Sequence, residues 1–208
     1  MNRKIIGVDE VGRGCLAGPV VAAAVVLPDQ HYSWIDEIKD SKKLSPKKRQ
    51  YLAALITDHC IYAIREGLPS LIDSDNILQA TLWTMKKCVE SVCVQLGLEE
   101  SAYLVLVDGK QTIPGITLAQ EAIKGGDNID KSIGAASIIA KVYRDNYMVG
   151  MDVTHPEYGF AQHKGYGTEQ HREAIMVHGP CYLHRLTFRG VYEYVQSPET
   201  FRSSSYKA

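Results

Sequence analysis

Apolar positions early in the chain fall into two dense β-branched runs, Lys4 to Val11 and Val20 to Leu27, parted by a glycine-rich turn. This spacing predicts two neighbouring antiparallel strands of one buried sheet. Ser45 reads as a helix cap with Pro46 at the first helical position, and Leu52, Leu55 and Ile56 supply an apolar face, so a surface helix is expected from Pro46 to about His59. Ile61 to Glu66 is a further short strand. From about Asp73 to Leu96, residues Leu78, Leu82, Met85, Val89, Val92 and Leu96 recur in steps of four and three, which predicts one helix with a buried stripe that serves as core rather than cofactor machinery. Tyr103 to Val107 predicts a strand ending in Asp108-Gly109, and Ile116 to Ile123 a weaker one ending in Gly125-Gly126-Asp127. Ile133 to about Met151 predicts a helix that opens with the small residues Gly134, Ala135, Ala136 and Ser137 and can pack closely on a sheet or against a cluster of acids. The stretch up to Tyr194, rich in His, Gly and Tyr, predicts short helices and loops, and Pro198 to Ala208 a frayed tail.

Strands feeding helices in mixed order predict an α/β sheet. A chain of 208 residues fits one domain with a modest extension. With 45% hydrophobic residues, 23% charged residues and a formal net charge of -1, the composition is that of a globular protein, and overall charge gives no argument for nucleic-acid binding. Cys15, Cys60, Cys88, Cys93 and Cys181 form an odd set without C-x-x-C spacing, which argues against a disulfide framework and a structural zinc site and for a reducing cytosol. The acids Asp9 and Glu10 come too early for a secretory apolar segment, and the apolar run Leu16 to Leu27 is short and broken by Gly18 and Pro19. The expectation is a cytoplasmic protein, neither exported nor inserted in a membrane.

Chemistry enters with G-V-D-E-V-G-R-G, Gly7 to Gly14. Asp9 and Glu10 can hold a cation, while Gly12 and Gly14 let bare backbone approach a ligand. An acid pair at a strand end followed by glycine is also an ordinary exposed turn. Asp108 and Asp127 are delivered to strand exits in the same way, so four acids converge on one sheet edge. Gathered carboxylates repel unless divalent cations neutralise them, and hard oxygen ligands favour Mg²⁺ or Mn²⁺. Strand alternation sends Asp9 and Glu10 to opposite faces, so for both to serve one site the strand must end or twist near Val11. Asp130 lies so close to Asp127 that spacing alone does not separate them.

These residues carry a resemblance. From about Gly7 to about Phe188 the chain resembles bacterial ribonuclease HII, through G-V-D-E-V-G-R-G, D-S-K-K-L-S, D-S-D-N-I-L-Q-A-T, V-L-V-D-G, G-G-D, S-I-G-A-A-S-I-I-A-K-V-Y-R-D, H-P-E-Y-G-F-A-Q-H-K-G-Y-G-T and H-R-L-T-F. The resemblance implies a ribonuclease H-like mixed sheet flanked by helices over about 1–155, a C-terminal helical extension over about 156–197 and a flexible tail over about 198–208. It implies hydrolysis of RNA in RNA/DNA hybrids and incision 5′ of ribonucleotides in duplex DNA, by a monomer holding two Mg²⁺ or Mn²⁺ ions. Asp9, Glu10, Asp108 and Asp127 fall on the family's catalytic acids, which demotes Asp130. Here the last acid follows K-G-G-D, with Lys124 one place further away than in K-G-D members. Gly12, Arg13 and Gly14 fall on the element that recognises a ribose 2′-hydroxyl, and Tyr166 on the residue that stacks on the following sugar. Lys42 and Lys43 fall on phosphate contacts, with a solvated approach to the following helix as the plainer alternative. His163, Lys164, His184, Arg185 and Asn76 lie in family motifs and are expected at the nucleic acid, with structural roles as the plainer alternative and helix capping as that of Asn76. A junction resolvase or a non-catalytic nucleic-acid binding module are the rival readings. The extra amino-terminal domain of ribonuclease HIII is not expected.

Overall fold

The computed structural model describes residues 3–97 and 102–196. The tail expected from Pro198 lies outside the described residues. Five strands are formed, β1 (Lys4–Val11), β2 (Val20–Val26), β3 (Ile61–Gly67), β4 (Tyr103–Asp108) and β5 (Ala119–Ile123). The helices are α1 (Ser33–Asp36), α2 (Pro46–His59), α3 (Pro69–Asp75), α4 (Ile77–Leu96), α5 (Lys131–Thr154), α6 (Phe160–His163), α7 (Glu169–His178) and α8 (Tyr192–Gln196). The described chain divides into two compact units, one of residues 3–11, 21–66, 81–97 and 102–143, the other of residues 12–20, 67–80 and 144–196.

The first unit is a mixed sheet in the order β3-β2-β1-β4-β5. β1 pairs antiparallel with β2, Gly7 opposite Val25 and Val11 opposite Val21, and parallel with β4, Lys4 opposite Tyr103 and Val8 opposite Val107. β4 and β5 are parallel, with Asp108 opposite Ile123. Every residue of β2 is buried, so helices cover both of its faces. Val21, Ala23 and Val25 pack with Leu52 and Ile56 of α2 and with Ala135, Ile138 and Ile139 of α5. The Cys88 thiol of α4 donates to the carbonyl of Ala22 at 3.2 Å. Ser45 caps α2 as expected, its hydroxyl accepting the Lys48 amide.

Two expected elements differ. The helix expected from Asp73 is two helices, because Asn76 takes a positive φ, 72° with ψ 162°, which ends α3. Its Oδ1 accepts the amides of Leu78 and Gln79 at 3.0 and 3.1 Å, starting α4 anew. Leu82, Met85, Val89 and Val92 are buried along α4, while Leu78 and Leu96 are only half-buried. The strand expected from Ile116 begins at Ala119, because Gln120 folds its side-chain amide onto both backbone groups of Ile113 and holds the preceding residues as a loop.

The second unit is built from short helices and loops, with small cores such as Met148, Tyr158, Phe160 and Leu183. A histidine stack lies within it. His163 and His171 are 4.3 Å apart, and His171 Nε2 is 3.1 Å from His184 Nε2. Burial, the dominant effect, pushes His171 down to about 4 and His184 to about 3, so both stay neutral in the folded protein. Neither bears on solubility; both bear on stability in acid.

Unfolded histidine takes a proton near pH 6.5, whereas these two do so only at much lower pH. The stability they leave intact above pH 6.5 is therefore lost as pH falls towards 4, at up to about 1.4 kcal/mol per pH unit for each. The urea midpoint should drop between pH 7 and pH 5, and the drop should be smaller in His171→Gln, where only His184 of the pair remains to titrate; an equal drop in that variant would remove His171 from the account. A Cβ on Gly7 would lie 2.2 Å from the carbonyl carbon of Ser132 and 2.3 Å from the amide of Ile133, where no flexible side chain can yield. Gly7→Ala is expected to cost about 2–3 kcal/mol, read as a fall in melting temperature.

Candidate active site

All four candidate acids belong to the first unit. The pairing of β1 with β4 stops at Val8, while its pairing with β2 continues to Val11, so Asp9 and Glu10 stand on a stretch of strand freed on its β4 side. Asp9 is 5% exposed and its Oδ1 accepts the Glu10 amide at 2.7 Å. Burial above all, then the charges of Glu10 and Asp108, holds its carboxyl well above the usual carboxylate range. The Ser137 hydroxyl of α5 and the Glu10 amide oppose that shift by bonding to the ionised form. Asp108 ends β4, and its Oδ1 accepts the Gly126 amide at 2.7 Å. Gly125, at φ 69°, then opens a 3-10 turn, Gly126–Asn128, that carries Asp127. Burial, then Asp40 and Asp108, raises the Asp127 carboxyl, and Lys42 and the Asn128 amide counter it.

Asp108 thus acts electrostatically on both Asp9 and Asp127, and Glu10 acts on Asp9. The donor set, hard oxygens that raise one another's affinity for protons, suits a divalent cation. As placed, however, no three His, Cys, Asp or Glu side chains among the described residues are grouped so as to hold an ion. One oxygen each of Asp9, Asp108 and Asp127 is committed to a neighbouring N–H, that of Glu10, Gly126 and Asn128 respectively. Coordination would draw on the second oxygens and on rotation of the side chains.

Asp130, which spacing did not separate from Asp127, accepts the amides of Ser132 at 2.8 Å and Ile133 at 3.4 Å and the Ser132 hydroxyl. It caps the start of α5. The basic segment expected at phosphates lies beside Asp127: Lys42 acts on its charge, and Lys43 Nζ donates to Asn128 Oδ1. Its anchor is the contact between the hydroxyls of Ser41 and Ser137, 3.0 Å apart. A cavity of about 170 Å³ opens here, lined by Lys39, Lys43, Asp127, Asn128, Asp130 and Lys131 among others.

The glycine turn and the tyrosine loop belong to the second unit. Gly12 takes φ 90°, and Tyr166 is 41% exposed. Arg185, expected at the nucleic acid, is instead fully buried: its guanidinium donates to the carbonyls of Gly12 at 2.7 Å, Arg13 at 2.8 Å and Gly18 at 2.9 Å, and burial lowers its pKa to about 10. His163 is likewise an interior support, its Nε2 2.8 Å from the Tyr158 carbonyl and its Nδ1 accepting the Gly165 amide at 3.2 Å. Lys164 takes φ 54°, a left-handed conformation costing a non-glycine residue about 1–2 kcal/mol, and folds its ammonium back onto the Ala161 carbonyl. Asn76 caps α4. From the chain alone Ser137 is only one of the small residues that open a close-packing helix, and Arg144 goes unremarked. Both sit in a quoted motif, but a serine and an arginine inside a helical stretch carry no periodic signal of what they touch.

Residues 6–191 match the family profile of ribonuclease HII. A ribonuclease HII of Geotalea uraniireducens is 50% identical over 196 residues, covering 94% of this chain and 87% of that protein. Among solved structures, ribonuclease H2 from Pyrococcus horikoshii superposes with TM-score 0.74 at 26% identity, covering 96% of this chain and 99% of that one. A ribonuclease HII from Archaeoglobus fulgidus, solved in complex with PCNA, gives TM-score 0.71 at 26% identity, covering 89% and 95%. Fold and sequence together define a nuclease of the ribonuclease H type with a mixed sheet flanked by helices, as the motif resemblance implied. Within that class the chain belongs to the ribonuclease HII family. No described helix is long and apolar enough to cross a membrane, and none of the five cysteines forms a disulfide.

Because burial and like charges disfavour the ionised form of Asp9, that carboxylate costs stability at neutral pH and the cost fades as the group takes up a proton in acid. Asp9→Asn should melt above the wild type at pH 7 in chelator, with the gap closing towards lower pH. A lower melting temperature at pH 7 would contradict the electrostatic reading.

Proposed function

We propose that this enzyme hydrolyses the RNA strand of RNA/DNA hybrids and incises duplex DNA on the 5′ side of an embedded ribonucleotide, leaving a 3′-hydroxyl and a 5′-phosphate. Such an activity would remove misincorporated ribonucleotides and RNA primers, in the cytoplasm and as a monomer. The observation that carries the proposal is the electrostatic coupling among Asp9, Glu10, Asp108 and Asp127 at the exits of β1, β4 and β5. These four would hold two ions, Mg²⁺ or Mn²⁺. Bound there, the ions would supply activation of a water for attack and charge stabilisation for the leaving oxygen.

The chain's own residues present that site and partly offset the cost of its charge. The Ser137 hydroxyl and the Glu10 amide favour the carboxylate form of Asp9 against its burial, as the Asn128 amide does for Asp127. Lys42 and Lys43 offset the charge of a backbone phosphate near Asp127. Gly12, Arg13 and Gly14 read the 2′-hydroxyl through backbone groups, the handle that separates RNA from DNA, and the hydroxyl is not the nucleophile. The half-exposed Tyr166 ring stacks on the sugar that follows. Arg185, His163 and Lys164 serve this surface from beneath.

One gel assay tests the proposal: duplex DNA with one ribonucleotide, an RNA/DNA hybrid and an all-DNA duplex, each with Mg²⁺, Mn²⁺ or chelator. Cleavage is expected on the first two, with metal only. Incision of all-DNA duplex would favour a junction resolvase, and metal-independent binding without product a non-catalytic module. Asp108→Asn should lower turnover at least roughly a hundredfold while leaving the fold and most substrate binding in place. Near-normal turnover would move the metal site elsewhere.

A further inference from the structure

We infer that Arg144 is a positioning residue for ribonucleotide recognition: it fixes the spacing between the Gly12–Gly14 turn and the Tyr166 ring, and through it the preference for an isolated ribonucleotide. This rests on the proposed function and assigns that selectivity to a side chain that never meets the substrate. Arg144, on α5, is fully buried within the second unit. Its fork bridges two loops. Nε donates to the Pro19 carbonyl and one terminal nitrogen to the Ala17 carbonyl, both at 2.9 Å, on the segment that continues the glycine turn. The other terminal nitrogen donates to the Lys164 carbonyl, also at 2.9 Å, on the tyrosine loop.

Three further contacts lock the same geometry. A Cβ on Gly12 would stand 2.2 Å from Nε, so the glycine turn lies directly against the guanidinium and admits no side chain there. The Arg144 guanidinium carbon is 6.0 Å from the centre of the Tyr166 ring, within reach of a cation–π contact. The carbonyl of Gly165, between Lys164 and Tyr166, accepts the amides of Leu16 at 2.8 Å and Ala17 at 3.3 Å. The left-handed Lys164 persists because its carbonyl is held in this way. Arg185 provides the contrast: its guanidinium donates to Gly12, Arg13 and Gly18 and faces Phe188 at 5.0 Å, so these bonds hold the turn and not the tyrosine loop.

A lysine at position 144 keeps the charge but not the planar fork that reaches three carbonyls in different directions. The tyrosine loop would then drift against the turn. A uniform hybrid offers a 2′-hydroxyl at every step and tolerates that drift. A single ribonucleotide must satisfy turn and ring in one register.

The test measures kcat and KM on a duplex with one ribonucleotide and on a uniform RNA/DNA hybrid for wild type, Arg144→Lys, Tyr166→Ala and the double variant. Arg144→Lys should lower the ratio of kcat/KM, single ribonucleotide over hybrid, by about tenfold, and should change it little further in the Tyr166→Ala background. Equal losses on both substrates, or a full tenfold change in the Tyr166→Ala background, would overturn the inference. Should Arg144→Lys not fold, Gly165→Ala decides: its Cβ would lie 2.4 Å from the Ala17 carbonyl and push the same loops apart, so a folded variant with an unchanged ratio would also overturn it. Wild type that cleaves the hybrid but not the single-ribonucleotide duplex would instead refute the proposed function, and the inference with it.

Discussion

A carboxylate held out of water beside two others is the constraint around which the first unit is organised. Asp9 is buried, and Glu10 and Asp108 raise its proton affinity further. The fold places it there through register: β1 runs parallel to β4, so both strands deliver their acids at the same end, while the antiparallel partner β2 carries β1 on past Val8. A slip of one residue would turn the pair Asp9 and Glu10 over and bring the wrong acid to α5. The opposing bonds from Ser137 and the Glu10 amide are local, and they leave a site that is costly without a cation and receptive to one.

The same close packing that forms the core also aims the chemistry. Gly7 leaves room for the start of α5 at Ser132 and Ile133, and Gly134 lets that helix reach Ile38 and the backbone of Asp127. Asp130 satisfies the helix's first amides. With its start fixed, α5 presents Ser137 to Asp9 and to Ser41, so the segment bearing Lys42 and Lys43 is tied to the helix that serves the acids. Small residues here are therefore spacers for a site as much as fillers of a core.

In the second unit, two positive charges are kept inside while others, such as Arg13 and Arg189, stand at the surface. Two fully buried guanidiniums spend their donors on backbone carbonyls, which hold loops in shapes that glycines and a left-handed lysine would not keep alone. The neutral histidine stack plays a similar part, with His171 Nδ1 2.9 Å from the Tyr166 carbonyl. A formal net charge of -1 is compatible with nucleic-acid chemistry when recognition rests on shaped backbone.

The sequence by itself determined the strands at Lys4 and Val20, the capped helix from Pro46, the buried stripe of α4 and the family, because periodicity and local turn chemistry act over a few residues. It also named four acids at strand ends. Only the tertiary structure decided that Asp130 caps a helix while Asp127 stands with Asp108, that Asn76 breaks one helix into two, and that His163 and Arg185 lie inside. The reason is range: Arg185 meets Gly12 across 173 positions and Arg144 meets Ala17 across 127, and no pattern along a chain encodes the partner of a polar side chain so far away.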